Sequence, residues 1–217
     1  RFGYDVDLDG DVAVIGRDRG GLGVDTRSGS ILVFTRAAGA WTLQEEVPSP
    51  ATGQDWYGNV VAMAGGTILV GAQKHNGPEG SEVGAAYAYT RPAATWVLQG
   101  QFREGVGPGD ERGATVAVSG DTAVVGIPGA ETAGDNAGMV QVYNRSGTLW
   151  QLTASLVGSD TAAGDRFGSS VDIDGDTIVV GAINDDSPLT NAGSAYIFVR
   201  NVGAWTEQAK LVAGDAG

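Results

Sequence analysis

Cysteine is absent from this chain, histidine occurs once and lysine only twice. Without cysteine there is no disulfide framework, no thiol nucleophile and no thiolate metal site. The lone histidine, His75, cannot build a zinc site or a catalytic triad unaided, and no H-E-x-x-H, G-x-S-x-G or phosphate-loop pattern surrounds it, so a solvated loop histidine is expected. No membrane-spanning apolar run and no helical stripe of apolar residues occurs. Basic residues are also scarce: 13 stand against 26 acidic ones, for a net charge of −13. A field of that sign repels phosphate backbones and anionic bilayers, which argues against nucleic acid and membrane insertion. Solubility accounts for the acidity better than a specific cationic ligand does.

What is present is repetition. "RFGYDVDLDGDVAVIG" begins at Arg1, "WYGNVVAMAGGTILVGA" at Trp56, "ERGATVAVSGDTAVVGI" at Glu111 and "RFGSSVDIDGDTIVVGA" at Arg166, each 55 residues after the last. The second half of the unit keeps the phase, with Gly29, Gly84, Gly138 and Gly193 preceding "SILVFTR", "AAYAYTR", "MVQVYNR" and "SAYIFVR". A tryptophan follows each time, at Trp41, Trp96, Trp150 and Trp205. One domain of four units results, over residues 1–55, 56–110, 111–165 and 166–217.

Each unit reads as strand throughout, in short runs of Val, Ile, Thr and aromatics bounded by Gly, Asp and Asn. In the fourth unit four strands are expected near residues 169–174, 177–182, 194–200 and 205–212. The link "DGD" between the first two strands predicts a two-residue hairpin in which Asp174 and Gly175 supply the positive φ angles. The link between the third and fourth is equally short, whereas the loops after the second and fourth strands are long. A four-stranded antiparallel meander at this period, with no helix, predicts an all-β propeller of four blades, either closed as a ring or part of a larger one. With the first strand innermost, the long loops share one rim and the hairpins the other.

The pairs Phe2-Gly3, Tyr57-Gly58 and Phe167-Gly168, followed by a hairpin and by Gly71-Ala72 or Gly181-Ala182, resemble the FG-GAP repeats of integrin α-subunits and of bacterial secreted or surface proteins. Arg112-Gly113 and Gly16-Arg17 depart from the pattern, and Gly126-Ile127-Pro128 matches in part. The resemblance implies an extracellular or cell-surface location and a propeller that, in integrins, has seven blades. Calcium-binding members carry D-x-D-x-D-G-x-x-D in the first hairpin. Here Gly10 and Gly175 follow the second aspartate, too short a loop for the six to eight oxygens that calcium requires, so a tight turn is expected rather than a metal and no cofactor is predicted.

The fourfold Arg36, Arg91, Arg145 and Arg200 end the third strands next to the recurrent tryptophans, an arrangement that predicts structural cation–π pairs. Phe2, Tyr57 and Phe167 are expected at buried blade junctions, with the Arg112 guanidinium reaching solvent or a carboxylate. Ligand-binding candidates lie in the long loops: Trp56, an extra aromatic in the phase of Arg1, Glu111 and Arg166, together with the acidic Glu131, Asp135, Asp185 and Asp186. The function expected is a non-catalytic recognition or adhesion module that binds protein or glycan. A propeller enzyme of lyase or hydrolase type and a purely architectural unit stay open as alternatives, although no catalytic cluster recurs in phase. An open arc of four blades would expose apolar sheet faces at its ends, so further repeats or self-association through the end blades is expected to cover them.

Overall fold

Alternating Val, Ile and aromatic runs punctuated by Gly and Asp fold into strands that never leave their own repeat. The computed structural model describes residues 1–20, 28–78, 80–105, 107–186 and 189–214. The first blade comprises β1 (Phe2–Asp9), β2 (Val12–Arg17), β3 (Ser30–Ala37) and β4 (Ala40–Pro48). The second has β5 (Val60–Ala64), β6 (Thr67–Ala72), β7 (Ala85–Thr90) and β8 (Val97–Phe102). In the third are β9 (Thr115–Ser119), β10 (Thr122–Ile127), β11 (Met139–Ser146) and β12 (Leu149–Leu156), and in the fourth β13 (Phe167–Asp174), β14 (Thr177–Ala182), β15 (Ser194–Asn201) and β16 (Ala204–Val212). Each blade is an antiparallel sheet in chain order, and the described residues contain no helix. The first strands pack in succession, β1 on β5, β5 on β9 and β9 on β13, which makes the first strand innermost.

The first hairpins are two-residue turns shifted by one position from the expectation. Asp9 pairs with Val12 and Asp174 with Thr177, so the turns are Gly10-Asp11 and Gly175-Asp176, with glycine first at φ 59° and 56°. The aspartate in second position has a task of its own. Asp11, Asp121 and Asp176 accept hydrogen bonds from the Nε of Arg36, Arg145 and Arg200 at 2.7, 2.8 and 2.6 Å, and their carbonyls accept the same arginines' backbone N–H. Those arginines lie over Trp41, Trp150 and Trp205 at 5.4, 5.2 and 5.1 Å from the ring centroids, as expected. In the second blade Gly66 replaces the aspartate and Arg91 turns instead to the Ala94 carbonyl.

Successive blades meet through glycine. A methyl group on Gly16, Gly71 or Gly126 would collide with the carbonyl oxygen of Gly58, Gly113 or Gly168 on the next blade. Gly29, Gly84 and Gly138 form single parallel bridges to Tyr57, Arg112 and Phe167. At the first junction three aspartates add a ladder: Asp5, Asp7 and Asp9 accept the N–H groups of Val61, Met63 and Gly65 at 2.8, 2.6 and 2.8 Å. The alternating carboxylates that resemble a calcium loop thus hold the edge of the neighbouring inner strand.

Apolar packing follows the same order. One core joins the first and second blades around Tyr57, Ile31 and Val61; another joins the second and third around Phe102, Leu69 and Val125; the last joins the third and fourth around Phe167, Val140 and Val180. The described residues form no comparable core between the fourth blade and the first, so the four blades make an open arc. This corrects the expectation for Phe2. Tyr57 and Phe167 are fully buried, but Phe2 is 59% exposed, because no blade packs on that face of the first sheet. Arg112 is a second correction: its guanidinium does not reach solvent but is fully buried in the aromatic slot, where it donates to the Glu104 carbonyl, which also accepts from Gln141 at 3.3 Å.

Candidate functional site on the long-loop rim

In the last three blades the residue that opens the repeat has a left-handed backbone: φ is 57° at Trp56, 59° at Glu111 and 56° at Arg166. A left-handed non-glycine residue is uncommon and costs energy that the surroundings must offset. Here a turn hydrogen bond does so, since the carbonyls of Trp56, Glu111 and Arg166 accept the N–H of Asn59, Ala114 and Ser169 at 2.9, 3.0 and 3.1 Å. The second, third and fourth blades therefore each project one side chain from the same point on the rim.

These side chains meet through Lys74. Its ammonium donates to Glu111 at 2.7 Å and Glu82 at 2.9 Å, and Glu111 accepts Arg166 at 2.8 Å through its other oxygen. Burial pushes the Glu111 carboxyl up, but the bonds from Lys74 and Arg166 outweigh it and hold the group below its ordinary range. Burial likewise disfavours the charged form of Lys74, and its two carboxylate partners reverse the balance, so its ammonium is held more tightly than usual. The half-buried indole of Trp56 lies 5.1 Å from the Arg19 guanidinium and 5.8 Å from the Lys74 ammonium. Trp56, Lys74 and Glu82, with Gln54, Asn76 and Ser81, line an open cleft of about 530 Å³.

The remaining candidates are not gathered there. Asp185 is buried, and its carboxylate accepts the Tyr196 hydroxyl at 2.7 Å, the Ser194 hydroxyl at 2.9 Å and the Lys210 ammonium at 2.9 Å. Its role is to tie its loop to the sheet. Asp186 beside it is exposed and caps the Asn191 N–H at 2.8 Å. Glu131 is exposed on a different concavity of about 560 Å³, shared with Arg103, Asp110 and Thr132. The exposed Asp135 contributes its carbonyl to the Gly164 N–H at 2.9 Å. His75 corrects the expectation of a solvated loop residue: it is buried, with Nδ1 3.3 Å from the buried Asp55 carboxylate. Sequence reasoning passed over Lys74, although its partner Glu111, which also binds Arg166, stands with Arg166 in the phase of Trp56. Among the described residues, no group of three or more His, Cys, Asp and Glu converges to hold a metal ion.

Antiparallel four-stranded units whose inner strands pack one on the next, with hairpins on one rim and long loops on the other, define a β-propeller repeat protein. The FG-GAP repeat model matches residues 41–89, 104–143 and 150–198, well over half of the chain, and the chain belongs to that family. Each match starts just inside the last strand of one blade, or in the link after it, and ends in the third strand of the next, so the sequence unit is offset from the structural blade. No curated protein matches the chain at a significant level. No helix among the described residues is long and apolar enough to cross a membrane.

Proposed function

We propose that the chain is a non-catalytic recognition module of a secreted or surface protein, and that it binds a glycan in the Trp56 cleft. The observation that carries this reading is the cleft itself: an indole fixed on the rim by a left-handed backbone, bordered by the amide and hydroxyl side chains of Gln54, Asn76 and Ser81. An aromatic face with polar groups at its edge suits a sugar ring, which stacks its C–H face and hydrogen-bonds its hydroxyls. Charge points the same way. The charged residues that line the cleft, Lys74 and Glu82, pair with each other at 2.9 Å, so the lining offers hydrogen bonding without net charge and favours a neutral ligand.

Catalysis fits the cleft poorly. General acid–base work needs a group that holds a proton near neutral pH, and Glu111 is pushed the other way by its two cations. Adhesion and an extracellular setting are proposed from the family's known occurrence. The test is a neutral-polysaccharide array probed with the wild-type chain and with Trp56→Ala: binding that disappears with the indole, and no new reducing ends released from the bound glycan, is the expected result. Undiminished binding by Trp56→Ala would remove the cleft from the proposal, and glycan cleavage would restore the enzyme alternative.

A further inference from the structure

In each of the last three blades, the loop that leads into the first strand is tied to the loop that follows the second by the same backbone bond. Lys74, Gly129 and Asn184 donate their N–H groups to the carbonyls of Asp55, Asp110 and Asp165 at 3.2, 3.0 and 3.2 Å. All three aspartates are buried, at 1%, 8% and 5% exposure. Two of them find a donor in their own loop: the Asp110 carboxylate accepts the Gly107 N–H at 2.6 Å and the Asp165 carboxylate the Ala162 N–H at 2.7 Å. Among the described residues the Asp55 carboxylate accepts no N–H from its own loop, and it faces the Nδ1 of His75 on the other loop at 3.3 Å.

The second blade differs from the others at the position of that histidine. His75, Ala130 and Asp185 are equivalent, since their N–H groups reach the carbonyls of Ala72, Ile127 and Ala182 at 3.0, 3.1 and 3.3 Å, and their own carbonyls accept Gly84, Gly138 and Gly193 at 3.0, 2.8 and 2.9 Å. Ala130 has no polar side chain to offer Asp110. Asp185 is turned to the Tyr196 hydroxyl and the Lys210 ammonium. In the second blade Gln101 pairs with Tyr87 where Lys210 pairs with Tyr196 in the fourth, so no lysine stands there and the imidazole is the group that meets the carboxylate. A buried carboxylate left without a donor is costly, which makes the position of Asp55 depend on His75.

The pair joins the two walls of the Trp56 cleft. Gln54 and Trp56 flank Asp55, Lys74 and Asn76 flank His75, and all four line the cleft, while the two residues between them are buried. A binding site keeps its geometry when the groups behind its lining are themselves fixed by polar contacts. We propose that Asp55 and His75 are the positioning residues of this cleft: the imidazole N–H, directed at the carboxylate, holds the wall that carries Trp56 at a fixed spacing from the wall that carries Lys74 and Asn76, and a sugar ring fills that spacing. The glycan part of this inference rests on the reading of the cleft given above.

Amide hydrogen exchange of the free chain, followed residue by residue by NMR, tests the pairing without a ligand. His75→Leu keeps an apolar side chain but no N–H, and Asp55→Leu leaves no buried carboxylate. In both, the Lys74 amide is expected to exchange about tenfold faster or more, while the Asn184 amide, its counterpart in the fourth blade, keeps the wild-type rate. His75→Gln supplies an N–H again and should return the Lys74 amide to near its wild-type rate, a contrast that packing alone does not produce. The best-bound neutral oligosaccharide of the array should bind both leucine variants about tenfold or more weakly. It should bind at near wild-type strength to His75→Gln and to Asp165→Asn, whose carboxylate is held within its own loop. Lys74 exchange that both leucine variants leave unchanged overturns the proposal, as does glycan affinity that they leave unchanged while Trp56→Ala abolishes it. If the wild-type chain binds no neutral glycan, or Trp56→Ala binds as tightly, the glycan reading fails and the exchange rates alone decide whether the pair holds the walls.

Discussion

Phe2 and Phe167 occupy the same position of the repeat and experience opposite surroundings. Phe167 sits at 0% exposure with its ring 5.2 Å from Tyr196 and 6.1 Å from Phe198, whereas Phe2 keeps one edge contact, with Phe34 at 6.4 Å, and stays 59% exposed. Phe167→Ala should therefore cost about 3–5 kcal/mol in urea titration of the dilute chain, and Phe2→Ala less than about 1 kcal/mol. Equal losses would mean that the first blade is covered as the fourth junction is. Glu111 supplies a second residue-scale test. Its folded pKa lies below the ordinary 4.5, so its contribution is complete above that value and is lost as pH falls through the lowered one. Glu111→Gln should destabilise by about 1–2 kcal/mol at neutral pH and cancel part of the acid-side loss, a difference that denaturant titrations at several pH values would reveal. The aromatic slot was readable at Tyr57 and Phe167, because an aromatic beside glycine has few other uses. The solvent-reaching alternative for Arg112 failed, since a guanidinium is rarely buried and the Glu104 carbonyl that it donates to is a backbone group that no sequence pattern announces.

At the scale of the strand and its turn, the repeat was legible because a 55-residue period fixes which residues share a place. The Gly-Asp turns fell within one residue of their expected positions, and the hairpin aspartates turned out to clamp arginines and neighbouring N–H groups. What the period could not convey is which element packs against which: the ladder from Asp5, Asp7 and Asp9 joins residues 56 apart across a junction. The glycines make this scale testable. Gly71→Ala places a methyl group on the Gly113 carbonyl, a backbone atom that can move only if two blades separate, so a loss of about 3 kcal/mol or more is expected. Gly181→Ala meets only the Ser170 hydroxyl, which can rotate, and should cost less than about 1 kcal/mol at concentrations where the chain is monomeric. Thermal melts of the two variants should differ accordingly, and similar melts would argue against glycine as the gauge of blade spacing.

For the whole molecule, the arc divides labour between its rims. Hairpins and arginine clamps close one rim, and the other raises a left-handed side chain from each of the last three blades, of which Trp56 is aromatic and Glu111 and Arg166 are charged. Sequence reasoning reached Trp56 by its departure from the phase, and reached Asp185 by the acidity of its loop. It had no means of telling that Asp185 turns inward to Tyr196 and Lys210, because burial of a loop carboxylate depends on a hydroxyl and an ammonium supplied by other strands. The central claim is that recognition resides in the Trp56 cleft. Isothermal titration of the best neutral oligosaccharide from the array, into the wild-type chain, Trp56→Ala and the hairpin variant Val202→Asp, addresses it most directly. A dissociation constant about tenfold or more weaker for Trp56→Ala, with Val202→Asp matching wild type, is the predicted result, and equal affinity of all three proteins would contradict it.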